Sequence, residues 1–163
     1  MNLIAHLHPS VVHFPIALLC IASAAGLAYL FVRPRPELRL ITWWSLLAGW
    51  VGCAAAVLTG LIAQAGLPPN APYRAVLNWH IGAGFAALAV YGLLLYQRLI
   101  YGTANARKAR ARSTPEAADR DQLDDTARRI MNALLLLIGL ATVLLTGWNG
   151  GQLVYLWGVN VGG

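Results

Sequence analysis

The chain is short of carboxylates, cysteine and methionine: its 163 residues hold six Asp and Glu together, two Cys and two Met. All six carboxylates fall between Glu37 and Asp125, away from the four histidines. A hydrolase pairing His with a carboxylate acid or base therefore has no raw material at the histidine positions. Cys20 and Cys53 stand singly in apolar runs, where a thiol behaves as a small hydrophobe. No Cys-x-x-Cys-His occurs, which excludes attachment of a c-type haem by its usual motif. No Lys or Arg precedes the first apolar run and no small-residue cleavage pattern follows it, so that run is expected to be a retained helix and not a signal peptide.

Charge is scarce altogether. Charged residues make up 11% and hydrophobic residues 58%, and the mean hydropathy is +0.59, which excludes a water-soluble domain with a polar shell. The apolar runs lack the alternation of a barrel strand and far exceed the roughly 10 residues that such a strand needs. Four of them, 11–32, 41–65, 79–101 and 130–149, can each cross a hydrocarbon core, which takes about 20 helical residues. The expected fold is an all-α membrane protein, one four-helix bundle over 1–163 with a polar loop at 102–129.

The net charge of +6 is an orientation signal. Arg33, Arg35 and Arg39 lie between helices 1 and 2, and Arg98, Arg107, Lys108, Arg110, Arg112, Arg120, Arg128 and Arg129 lie between helices 3 and 4. Arg74 alone falls on the other side. The positive-inside rule makes both basic loops cytoplasmic and both termini outward, and no nucleic-acid module is visible. In the 102–129 loop, Ser113-Thr114-Pro115-Glu116 reads as a helix start running through Asp124 and Arg129 into helix 4.

His6, His8, His13 and His80 all fall on the outward side. Helix 1 from His13 and helix 3 from His80 resemble one another, and each is followed by a helix that ends in Thr-Gly, at Thr59-Gly60 and Thr146-Gly147. Two pseudo-repeated hairpins related about the membrane normal would place His13 and His80 at equal depth. Pro15 is expected to kink helix 1 just past His13.

The stripe below His13 is Ile16, Ala17, Cys20 and Ala24; below His80 it is Ala83, Gly84, Ala87 and Tyr91. Small side chains such as Ala17, Cys20, Gly84 and Ala87 leave room for a haem edge beside ligating imidazoles, and serve equally for close helix packing. Bundle interiors build cofactor sites from facing helices, so His13 and His80 are candidate axial ligands of a b-type haem. Arg74 is placed to pair with a propionate or with an acidic partner. His8 is the rival for the first ligand position and His6 a weaker one. Several histidines together could instead hold copper or zinc. Trp79, Trp148, Tyr155 and Trp157 form an outward aromatic rim, the usual interfacial belt. The apolar tail 150–161 is too short to span and could cover the histidines or dock a partner.

His8-Pro9-Ser10-Val11-Val12-His13-Phe14-Pro15-Ile16-Ala17-Leu18, with Thr146-Gly147 and Gly151-Gln152-Leu153-Val154-Tyr155 further on, resembles the bacterial family of four-helix membrane proteins called DUF2231. The resemblance covers essentially the whole chain. It implies a redox setting in the bacterial inner membrane, since some relatives are fused to Rieske iron–sulfur domains or lie among periplasmic cytochromes. Relatives often carry His-Pro-x-His-Pro, whereas here His6 precedes His8 without a proline. The expected function is an electron-transfer subunit with haem b near the periplasmic face, between a periplasmic redox protein and quinone or another membrane carrier. The alternative is an accessory or assembly subunit of a larger membrane complex.

Overall fold

Pro15 lacks the N–H that the Val11 carbonyl would meet in a regular helix, and the first helix is interrupted there. Helical backbone runs from His8 to Val11, a turn falls at Val12, and α1 continues over His13–Phe31. The irregularity thus precedes His13 instead of following it. The Val12 amide still reaches the His8 carbonyl at 3.2 Å and the Ile16 amide the Val12 carbonyl at 3.3 Å, so the first turn stays stacked on α1. The computed structural model describes residues 8–112 and 121–159.

Arg33-Pro34-Arg35-Pro36 separates α1 from α2, and Pro36 takes the first position of α2 (Pro36–Gln64), where its missing donor costs nothing. Helix α3 runs over Arg74–Arg112 and α4 over Arg129–Tyr155. All four are long and apolar enough to cross a membrane, and no strand occurs among the described residues. The chain is therefore an all-helical, multi-pass membrane protein.

Two helices outrun the spans read from hydropathy. α3 passes residue 101 because 102–112 is rich in Ala, Arg and Lys, which favour helix whatever their polarity. α4 passes Asn149-Gly150-Gly151 and carries Leu153 into a small apolar cluster with Leu77 and Val159. The expected helix through Asp124 is corrected: residues 113–120 lie outside the described residues, and two 3-10 turns, Gln122–Asp124 and Thr126–Arg128, follow. Asp121 accepts from the Leu123 amide at 2.9 Å and Asp125 from the Ala127 amide at 3.0 Å. Short side-chain acceptors of this kind compete with the helix for backbone donors.

The helices form a closed ring, α1 to α2 to α3 to α4 and back to α1, with the tightest packing inside the pairs α1/α2 and α3/α4. On α1 the buried stripe is Pro15, Leu19, Ala22, Gly26 and Tyr29, a four-three alternation of coiled-coil type. On α3 it is Ala83, Ala87, Tyr91 and Leu94. α2 buries Thr42, Trp43, Leu46 and Gly49, and α4 buries Asn132, Ala133, Leu136 and Gly139, the same pattern ninety positions later. Across the ring Ser23 Oγ and Tyr91 Oη are hydrogen-bonded at 2.7 Å. Gly139 lies so close to the Tyr91 ring that a Cβ there would stand 2.6 Å from Cζ. Trp44, Val51, Leu58, Leu137 and Leu144 face outward and exposed, as lipid-facing side chains do.

The arginine-rich end is closed by the segment that begins at Asp121. The indole of Trp43 (α2) donates to both Asp121 carboxylate oxygens, at 3.1 and 2.9 Å, and Arg98 (α3) lies 3.9 Å from the same carboxylate and 4.2 Å over the Trp43 ring. The Tyr29 hydroxyl (α1) donates to Asp124, which also takes Arg39 (α2) at 3.2 Å. Gln122 donates to Asn132 Oδ1 (α4) at 2.6 Å and its carbonyl accepts from Asn132 at 3.2 Å. One short segment thereby ties all four helices together.

Candidate functional site

At the opposite end the bundle is hollow. A cavity of about 380 Å³ is lined from all four helices, by His8, His13, Gly60, His80, Thr146 and Gly150 among others. Its floor is Leu19, Cys53, Ala87 and Val143, so the walls are apolar and mostly small.

The buried stripe of α1, carried back by the same alternation, arrives at His8. His13 lies five residues on, which at 100° per residue turns it about 140° away. The structure accordingly brings His8 and His80 together, ring centroids 6.2 Å apart and planes crossed at 87°, and leaves His13 exposed at the rim of the same cavity. His6 lies outside the described residues.

Hydrogen bonds fix both imidazoles in one tautomer. His80 Nδ1 is 2.9 Å from the Thr146 carbonyl; a carbonyl only accepts, so Nδ1 carries the proton and Nε2 the lone pair. His8 Nδ1 is 3.1 Å from Thr59 Oγ1. The Thr59 hydroxyl spends its single proton on its own helix, 3.0 Å from the carbonyls of Ala55 and Ala56, so its oxygen accepts from His8. Both rings therefore hold Nε2 as a base. This is the second-sphere arrangement that metal-ligating histidines use.

Two glycines make the fit possible. A Cβ on Gly60 would lie 2.9 Å from His8 Cε1, and one on Gly150 would lie 3.0 Å from His80 Cε1. Gly60 and Gly150 stand ninety positions apart, the offset of the buried patterns on α2 and α4. The Thr-Gly pairs were visible in the sequence as markers of similarity, but the contact glycine on α4 is Gly150 and not Gly147. Thr59 as an acceptor for His8 was not foreseen, although Thr59 reads out of the same Thr-Gly signal.

The remaining candidates divide. Gly84 and Ala87 line the cavity. Cys20 packs against the core and Ala17 is exposed, because the stripe below His13 is rotated off the bundle axis. Arg74 does not reach the cavity: its Nε and Nη2 donate to the carbonyls of Pro68 and Leu67 at 3.0 and 2.7 Å, pinning the loop between α2 and α3. The tail follows α4 and turns so that Tyr155 and Val159 border the cavity, with Tyr73 and Trp157 in ring contact at 6.2 Å. Among the described residues no group of three or more His, Cys, Asp or Glu side chains is placed to hold a metal ion.

A family description, "predicted membrane protein (DUF2231)", matches residues 5–163. No curated protein and no solved structure matches the chain.

Proposed function

The chain belongs to the DUF2231 family of predicted membrane proteins, and from that premise we propose that it is an electron-transfer subunit in which His8 and His80 hold a b-type haem. The observation that carries this reading is the imidazole pair itself. The ring centroids are 6.2 Å apart and Nδ1 of each ring is already engaged, so His8 and His80 would be the residues to hold a metal through Nε2. The cavity also lies within the range of about 300–1,000 Å³ usual for cofactor sites. Haem would supply one-electron redox chemistry, with potential set by its ligands and surroundings.

The residues of the chain do the rest. Thr59 and the Thr146 carbonyl orient the rings, Gly60 and Gly150 give them room, and Leu19, Ala87 and Val143 keep water from below. No Lys or Arg lines the cavity among the described residues, so the acidic edge of a haem would be left to water or to a partner. Two nitrogens fall short of the three or four protein ligands that zinc or copper takes, which ranks those metals behind haem, with His13 a further imidazole at the cavity rim.

In this reading the histidine end faces the periplasm and the basic end the cytoplasm of a bacterial inner membrane, with both termini outside. Electrons would pass between a periplasmic cytochrome or iron–sulfur protein and quinone or another membrane carrier. The shared ninety-position offset of α2 and α4, with one histidine against each contact glycine, supports two repeated hairpins pairing His8, not His13, with His80. A second reading, an accessory subunit anchoring a larger membrane complex, is favoured by the wide exposed face of α2, where Trp44, Val51 and Leu58 stand free of the bundle.

The test is an absorption spectrum. Purified full-length protein loaded with haem should show a low-spin bis-imidazole spectrum that His8→Ala and His80→Ala each abolish and His13→Ala leaves in place. A wild type that takes up no haem, by Soret absorption and pyridine haemochrome, ends the proposal.

A further inference from the structure

Two features meet at the arginine-rich end. A cavity of about 420 Å³ opens between the end of α1 and the start of α4, bordered by Tyr29, Phe31, Arg33, Pro34, Asp124 and Arg129. Arg33 and Arg129 have no carboxylate partner among the described residues, where the ion pairs are Arg39–Asp124, Arg98–Asp121 and Arg128–Asp125.

Among the described residues Asp124 is the one carboxylate lining the cavity, and it is already matched, taking the Tyr29 hydroxyl and Arg39 at 3.2 Å. The balance left around the cavity is positive. Arg129 is held in place by stacking, its guanidinium carbon 4.9 Å from the Phe31 ring centroid. Next to the charges is an apolar wall: Phe31 is 53% exposed, Val32 80% and Ile130 64%, at the level where α1 and α4 leave their spans. A free phosphate would use the charges and ignore the wall. An amphiphile with a phosphate head uses both, and basic pockets between membrane helices take such headgroups.

We propose that this cavity binds the phosphodiester headgroup of an anionic phospholipid through Arg33 and Arg129, with its acyl chains along Phe31, Val32 and Ile130. The full-length protein is placed in phosphatidylcholine nanodiscs with and without phosphatidylglycerol, and lipid retention is read by native mass spectrometry beside thermal stability. Wild type should retain phosphatidylglycerol and melt higher with it. The double variant Arg33→Gln/Arg129→Gln should lose retention about tenfold or more, the scale expected for two basic residues at a lipid surface. Arg35→Gln, an equally exposed arginine outside the cavity, should retain it, and Arg33→Lys/Arg129→Lys, which keeps the charge and guards against misfolding, should retain most. Equal loss in Arg35→Gln would make the effect general surface charge and overturn the proposal. So would stabilisation of the wild type by millimolar inorganic phosphate in pure phosphatidylcholine to the same degree, or the absence of any preference for phosphatidylglycerol.

Discussion

A Cβ on Gly60 would stand 2.9 Å from Cε1 of His8, so the bare backbone at position 60 is what lets the imidazole lie against α2 and still reach Thr59. Gly60→Ala should push the ring out of place, and Gly150→Ala should do the same to His80. Each is expected to weaken haem uptake and broaden the spectrum, with a stability change no larger than the about 1–3 kcal/mol of overpacking. Gly82→Ala, on the exposed face of α3 where a Cβ meets nothing within 4 Å, is the control that should leave the spectrum unchanged.

Thr59 orients His8 by accepting its Nδ1 proton. Thr59→Val keeps the shape and removes the acceptor, so haem affinity should fall by about 10–100-fold, the usual effect of losing such a partner. Thr59→Ser should restore it. Titration of haem into the three proteins, followed at the Soret band, measures this directly.

The crossing of α1 and α3 at mid-depth rests on Ser23 and Tyr91, both fully buried. Tyr91→Phe should cost about 1 kcal/mol, the net worth of one such hydrogen bond. Gly139→Ala should cost more, even though alanine favours helix by about 1 kcal/mol, because the new methyl would collide with the Tyr91 ring. Thermal unfolding in detergent should rank the two in that order.

Asp121 receives the indole N–H of Trp43, a side chain 2% exposed. Asp121→Ala strands that donor and releases Arg98, at a cost of about 1–3 kcal/mol. The 3-10 segment should detach first, so trypsin should cut after Arg128 faster in the variant than in the wild type. Equal cleavage rates would show that Asp121 does not hold the segment.

Much of the fold was legible because a bilayer leaves few options. Four long apolar runs with charge between them can only be four helices. Helix ends were less legible: 102–112 is polar yet helical, and the glycines at 150 and 151 continue α4 because Leu153 beyond them is buried. At the site, the stripe below His80 was readable since Ala83, Ala87 and Tyr91 share its face without interruption. The stripe of α1 was misleading. Pro9 and Pro15 suggest a break in register around His8, which directs attention to His13. The four-three spacing of Pro15, Leu19, Ala22 and Gly26 points back to His8 once those residues are known to be inside. The roles of Thr59 and Gly60 depend on which helix lies beside His8, and no local pattern supplies that.

The segment from Asp121 to Asp125 has a mechanical consequence. A ring of helices stapled at one end and hollow at the other has the layout of a pair of tongs, with Tyr29 and Asp124 at the closed end and the imidazoles at the tips. Along α1 the tip is about 30 Å from the closed end, so a tilt of only about 2° would open the jaws by roughly 1 Å. Loss of the Asp124 contacts to Tyr29 and Arg39 is therefore expected to reach the spacing of His8 and His80 at the other end of the bundle, through carboxylates that never come near it.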